Sequence, residues 1–262
     1  MTTPTAPEPR NTQPLSGQGA LITGGSRGIG RAIAARLAAD GAVVVITYAT
    51  DHASAETLVA EITAQGGRAR AVQLDLAVPE QFDRVFTTAD QAFRDAGVDG
   101  LSVLVANAGI MAQAPIDELS VDEWDRIMAT NARGAFLTVQ HGARRLRDHG
   151  RIITMSTIGT AWPSAGEAAY AASKAAIEQI TRVASRELGH RGITANTVSL
   201  GPTETDLLRA GAPPEALDGA AAMTALGRIG RPSDVADLVA LLVHPDNGWM
   251  TGQNIHADGG LT

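Results

Sequence analysis

The sequence predicts an α/β fold, a doubly wound parallel sheet of about seven strands with helices on both faces. Three observations carry this. Short runs rich in Val, Ile and Leu recur along the chain and are apolar nearly throughout, the pattern of strands buried on both faces. Helix-forming stretches separate them, so neighbouring strands are joined by crossovers and run parallel. Apolar residues make up 44% of the 262 but aromatics only 3%, and such small side chains suit helices laid on a sheet.

Taken in order, Ala20–Thr23 is the first strand. A glycine-rich turn follows, and Ile29, Ile33 and Leu37 mark the inner face of a helix over Ile29–Ala39. The β-branched run Val43–Thr47 is the second strand, with a helix over Ala53–Gln65 behind it. Ala71–Leu74 is a short third strand, and a helix over Glu80–Ala96 follows. Leu101–Ala106 is the fourth, after which Val121–Leu146 reads as one long helix. Arg151–Met155 leads to a helix over Ala168–Leu188, and Thr194–Ser199 to one over Ser233–Val243, before Asn254–Ala257 closes the set. Thr203–Leu226, with Gly211, Pro213 and Pro214, reads as irregular, and a segment of that length beside a strand end is expected to shape a substrate site. No repeat or change in composition divides the chain, so 15–262 is expected to form one domain. A flexible tail rich in Thr and Pro, Met1–Pro14, precedes it and lacks the basic-then-apolar order of a signal peptide.

Composition excludes several function classes. There is no cysteine, hence no disulfide, thiolate nucleophile or Cys-based metal site. A reducing cytoplasm fits. The net charge of −7 argues against broad attraction to nucleic acid or an anionic membrane, and no apolar run approaches the ~20 residues of a span. Arg144, Arg145 and Arg147 beside Asp148 read as a solvated helix end rather than a binding patch. The six histidines lack metal-ligand spacing and read as scattered surface or loop residues. No Gly-x-Ser-x-Gly nucleophile elbow occurs.

The first strand runs into Thr23-Gly24-Gly25-Ser26-Arg27-Gly28-Ile29-Gly30 and then into a helix. Glycines there permit a tight turn and let the backbone approach a pyrophosphate seated at the positive helix end. The spacing resembles the short-chain dehydrogenase/reductase family in its compact, single-domain Rossmann branch. Further matches follow in family order: Asp75-Leu76, Asn107-Ala108-Gly109, Asn131, Tyr170-x-x-x-Lys174, Gly201-Pro202, Gly227-Arg228, Thr251-Gly252-Gln253 and Asp258-Gly259-Gly260. The resemblance covers almost everything from Leu15 to Thr262.

It implies a dinucleotide held by Gly24, Ser26, Arg27, Gly28, Ile29 and Gly30, with Asp75 and Leu76 flanking the adenine. Asn107, Ala108 and Gly109 would line the cofactor, and Pro202, Thr203 and Thr205 would lie near the nicotinamide. Asn107 also reads as a loop cap that steadies neighbouring strands. Where an acid would hold a ribose 2′-hydroxyl, the aligned position is Tyr48, followed by Ala49 and Thr50. With Arg27 in the glycine loop, this favours NADP(H) over NAD(H), although Asp51 would bring a carboxylate close if the loop shifted by one residue.

Tyr170 and Lys174 share a helix face. The chain has two tyrosines and 21 basic residues, of which Lys174 is the single lysine, so this spacing arises in about 1% of random orderings. A nearby ammonium is expected to lower the phenol's pKa for general acid/base work, and a guanidinium cannot relay a proton. The resemblance places the carbonyl-holding hydroxyl at Thr157, where the family has serine. Ser156 takes the role if the intervening loop is one residue longer. Asn131 would hold a water behind the lysine, or else distort its helix by bonding to backbone. Trp162 and Met111 read either as pocket lining or as core.

The expected function is therefore NADPH-dependent reduction of a ketone or 3-oxoacyl-type carbonyl to a secondary alcohol, with Tyr170 as general acid. Oxidation of a sugar, polyol or secondary-metabolite alcohol is an alternative, and a dinucleotide-binding regulator without catalysis is another. The resemblance also implies a homo-oligomer, a tetramer or dimer.

Overall fold

Strands form where apolar residues run without a break, because both of their faces are covered. In the computed structural model, which describes residues 13–211 and 214–262, seven strands make one parallel sheet, and the five inner ones are almost wholly buried. They are β1 (Gly19–Ile22), β2 (Val43–Tyr48), β3 (Arg68–Gln73), β4 (Leu101–Ala106), β5 (Arg151–Thr157), β6 (Thr194–Leu200) and β7 (Asn254–Ala257). Their order is β3-β2-β1-β4-β5-β6-β7. Every neighbouring pair is parallel, with β1 flanked by Val43–Ile46 on one side and Leu101–Val105 on the other.

Alternate residues feed two cores. Ala20, Ile22, Val44, Ile46, Val103 and Val105 meet α1 (Gly28–Ala39), α2 (His52–Ala64) and α9 (Pro232–Val243) on one face. Leu21, Val43, Val45 and Leu104 meet α3 (Phe82–Asp95), α5 (Gly134–Arg145) and α6 (Ala168–Leu188) on the other. Burying one such aliphatic side chain contributes about 1.5–3 kcal/mol, so this two-sided pattern dominates the stability. After β3 the chain returns to the far side of β1, and this reversal opens a cleft at the carboxyl ends of β1 and β4.

The structure corrects several sequence expectations. β3 begins three residues before the predicted strand, since Arg68 and Arg70 alternate with half-buried alanines on an edge strand and hide its apolar signal. The single helix expected over Val121–Leu146 is broken: α4 (Val121–Ile127) passes into a π-helical turn over Met128–Arg133 before α5 begins. Asn131 in that turn bonds the Ile110 backbone through both side-chain heteroatoms, a local competitor of the helix ladder. The 203–226 segment is not irregular; it carries α7 (Asp206–Gly211) and α8 (Pro214–Met223). His141 is not a surface residue but is buried between the Phe82 and Phe86 rings. Of the arginine cluster, Arg145 lies between Asp83 and Asp90 at 3.5 and 3.4 Å, and Arg147 faces Asp99 at 3.5 Å.

The tail expected over Met1–Pro14 lies outside the described residues except for Gln13 and Pro14. Among the described residues, no helix is long and apolar enough to cross a membrane, and no group of three His, Asp or Glu side chains could hold a metal ion.

Candidate active site

The glycine run lies at the carboxyl end of β1. Gly24 and Gly28 have φ of 66° and 55°, a region side chains disfavour. A Cβ on Gly30 would stand 2.2 Å from Gly24 O, so the turn closes only without one. No side chain caps α1 at Arg27, which leaves the first-turn N–H groups of the helix open toward the cleft. The cradle is one a phosphate fits. Ser26 is buried, Ile29 packs on the α1-side core, and Arg27 is exposed. Thr205 approaches from across the cleft, its Cγ2 3.5 Å from the Cβ position at Gly28, while its Oγ1 accepts from Leu208 N at the start of α7.

Asn107 ties this loop to β4. Its Nδ2 donates to Thr23 O at 2.9 Å and Gly24 O at 3.3 Å, while Thr23 Oγ1 accepts from the Asn107 and Ala108 N–H groups. The strand-steadying reading of Asn107 is thus met, and Thr23 is its partner, a buried threonine that sequence reasoning passed over. At the end of β2, Tyr48 stacks on His52 with ring centroids 5.4 Å apart; Ala49 and Thr50 are exposed. Asp51 caps α2 by accepting from Ser54 N at 3.0 Å. The Ser54 hydroxyl first, and then this backbone N–H, hold its carboxyl below the ordinary range, with the Arg27 charge a lesser cause. Asp75 is exposed and turns back onto Ala77 N at 2.9 Å. The Leu76 side chain instead packs in the core beneath Gly134, so the expected adenine contact is left to its backbone. Thr203 is also buried, its hydroxyl donating to Gly201 O, with Pro202 half-buried beside it.

The second cluster is built by β5, α6 and the π turn. Lys174 is 4% exposed, and its Nζ donates to Met155 O at 3.0 Å. Nζ also lies 5.7 Å from the centroid of the Tyr170 ring. The Cβ that Gly109 lacks would stand 3.3 Å from this Nζ and 3.2 Å from Asn131 Oδ1, so glycine there lets the three segments meet. Asn131 Nδ2 donates further to Ser173 Oγ at 3.0 Å, and Ser173 Oγ donates to Tyr170 O. The helix-distorting reading of Asn131 is met in these bonds.

Ser156 and Thr157 sit on opposite faces of the end of β5. Ser156 is buried and donates to Glu178 Oε1 at 2.7 Å, a carboxylate that also accepts from Thr160 Oγ1 at 2.6 Å. Thr157 is half-buried, and its Oγ1 accepts from Gly159 N at 3.1 Å, which leaves the hydroxyl proton free to donate.

Burial pushes the Tyr170 phenol up to about 12, with the Glu167 charge adding to the rise. This is opposite in sign to the sequence expectation: desolvation outweighs the ammonium in the protein alone. The same desolvation brings Lys174 down to about 8 and raises Glu167. Glu167, Ser173 and Glu178 escaped the sequence reading, yet helical spacing points to two of them. Glu167 precedes Tyr170 by three residues and Glu178 follows Lys174 by four. Met111 is half-buried and Trp162 half exposed in the loops nearby.

A glycine cradle at the sheet's switch point, next to a desolvated tyrosine–lysine pair, defines an oxidoreductase acting on CH–OH and C=O groups. Comparison with known proteins agrees. A family profile described as enoyl-(acyl carrier protein) reductase matches residues 24–262. The NADPH-dependent aldehyde reductase-like chloroplastic protein of Arabidopsis thaliana is 39% identical over 260 residues, 94% of this chain and 95% of its own. The hydroxynaphthalene reductase-like protein Arp2 of Metarhizium guizhouense is 38% identical over the same shares of both chains. Among solved structures, a short-chain dehydrogenase of Burkholderia cenocepacia in complex with NADP is 42% identical, with a TM-score of 0.88 over 94% of this chain and 98% of its own. The angucycline C-6 ketoreductase LanV with bound NADP is 39% identical, with a TM-score of 0.89 over 94% and 96%. The chain belongs to the short-chain dehydrogenase/reductase family.

Proposed function

We propose that the protein is an NADPH-dependent reductase that converts a ketone or 3-oxoacyl-type carbonyl to a secondary alcohol. The observation that carries this is the Tyr170–Lys174 pair, desolvated on one face of α6 and brought by Gly109 against the loop that follows β4. Bound on the glycine cradle, the dinucleotide supplies the hydride. The chain's own side chains handle the oxygen and the proton. Thr157, with its proton free, donates to the carbonyl oxygen, while Ser156 is committed to Glu178. Tyr170, protonated at neutral pH, gives its proton to that oxygen as negative charge develops there. Lys174, still charged below about 8, stabilises the tyrosinate left behind. Asn131, which meets Lys174 across Gly109, is read as holding a water that returns the proton.

The preference for NADP(H) rests on three features: no acid at Tyr48, Asp51 occupied in capping α2, and Arg27 exposed beside the cradle. The relatives solved with NADP support it. We read the molecule as a homo-oligomer, a dimer or tetramer, since Phe136 on α5 and Val183 on α6 are exposed and Trp249 before β7 is 99% exposed. The test is steady-state turnover of a ketone panel with NADPH and with NADH. Turnover with NADPH at least tenfold above NADH is expected, and equal or reversed preference overturns the cofactor reading.

A further inference from the structure

Glu167 closes the loop before α6, and the proton chemistry above makes no use of it. Three segments converge on it. From the loop after β4, Gln113 Nε2 donates to its Oε1 at 3.5 Å, and that loop is tied to the start of α6 by Ala114 N donating to Gly166 O at 3.0 Å. From the turn after β5, the buried Gly159 lets two side chains close in on its backbone. A Cβ there would stand 3.3 Å from Glu167 Oε2 and 3.4 Å from Thr157 Oγ1, so the carboxylate and the carbonyl-holding hydroxyl border the same glycine. From α6 itself, Tyr170 lies within reach of the carboxylate's charge.

Glu167 is half-buried, and its one side-chain partner among the described residues is that long bond from a neutral amide. The other titratable group facing it is Tyr170; the β5 turn offers the Thr157 hydroxyl, while Lys174 is turned to Met155 O and Glu178 to Ser156 and Thr160. A partly desolvated carboxylate with unused acceptor positions is stabilised by a donor and opposes a second anion.

We infer that Glu167 is a specificity-determining residue that accepts a hydrogen bond from a donor group, a hydroxyl or amine, next to the reacting carbonyl. It excludes substrates that carry a carboxylate in that place. This deepens the reductase reading and rests on it. The substrate class it names is an α-hydroxy or comparably donor-bearing ketone, and the geometry follows from Thr157 Oγ1 and Glu167 Oε2 bordering the same glycine.

The experiment measures NADPH-dependent kcat/KM of the full chain for hydroxyacetone, butanone and pyruvate, which match in shape and differ in donor and charge. The unmodified protein is expected to favour hydroxyacetone and to turn over pyruvate least. Glu167→Gln is expected to lower the hydroxyacetone-to-butanone ratio about tenfold and to raise the pyruvate-to-butanone ratio by a similar factor. Glu167→Asp keeps the charge and so keeps pyruvate excluded, which separates the electrostatic role from a change of shape. Ratios that stay within twofold in Glu167→Gln, with turnover intact, overturn this inference and leave the reductase reading standing. No NADPH oxidation with any carbonyl, including phenanthrenequinone, which needs no donor contact, overturns the reductase reading and the inference with it.

Discussion

The two ends of the cleft are made of different materials. At the β1–α1 end the chain presents backbone: glycines at positive φ, uncapped N–H groups of α1, and a loop tied down by Asn107 and Thr23. At the β5–α6 end it presents titratable side chains taken out of water, with Tyr170 pushed up to about 12 and Lys174 down to about 8. A backbone cradle binds by shape and dipole and changes little with pH. A desolvated tyrosine–lysine pair does its work through protonation, so its function varies with pH while its geometry does not.

The strongest way to break this contrast is Tyr170→Phe. It keeps the ring in place and removes the proton, so kcat is expected to fall by about 10²–10⁴ while NADPH binding, read by fluorescence titration, stays within twofold. If cofactor affinity fell together with kcat, the two ends would not be separable. A pH profile sharpens the same point. Reduction needs Tyr170 protonated and Lys174 charged, and both conditions hold below about 8. Since Lys174 is the group with the depressed pKa, its charge is lost first as pH rises. The rate is expected to be level through neutrality and to fall above about 8, while Lys174→Arg, charged throughout, loses that limb along with much of the rate.

Thr157 and Ser156 provide a comparison inside the reacting end. Thr157→Val removes a hydroxyl with a proton to give and is expected to cost about tenfold to 10²-fold in kcat/KM. Ser156→Ala removes a donor to the buried Glu178, so it is expected to lower stability by about 1–2 kcal/mol, read by chemical denaturation, and to leave kcat within a few-fold. The reverse outcome would exchange the two roles.

The elements of the fold were legible where burial on both faces leaves a nearly unbroken apolar signal, as in β1, β2 and β4. They were obscured where something else competes with the pattern. β3 lies at an edge and carries arginines, and the helix from Val121 is broken by one asparagine that prefers the Ile110 backbone. Within the site, the rare residue types stood out: a single lysine one turn from one of two tyrosines, and glycines in a strand-to-helix turn. Glu167, Ser173 and Glu178 did not, because acidic residues and serines on a helix are ordinary and only tertiary contact shows which of them are buried. The sign of the Tyr170 shift was also out of reach, since it depends on how dry the site is and not on which residues neighbour it in sequence.

The smallest predicted effect concerns the exposed rim of the cradle. Arg27 caps nothing and forms no ion pair among the described residues, so Arg27→Ala is expected to leave stability unchanged. Its guanidinium stands near Asp51, whose carboxylate is occupied by Ser54 N, so the charge is free to meet a phosphate. An exposed charged contact of this kind changes affinity by about tenfold or less. Arg27→Ala should therefore raise the NADPH Kd several-fold and leave the NADH Kd where it was, with the difference shrinking as salt is added. A substitution that weakened both cofactors equally would mean that Arg27 shapes the backbone cradle and does not read the 2′-phosphate. The selectivity would then rest on the missing acid at Tyr48 alone, and Tyr48→Asp would become the change that turns the preference toward NADH.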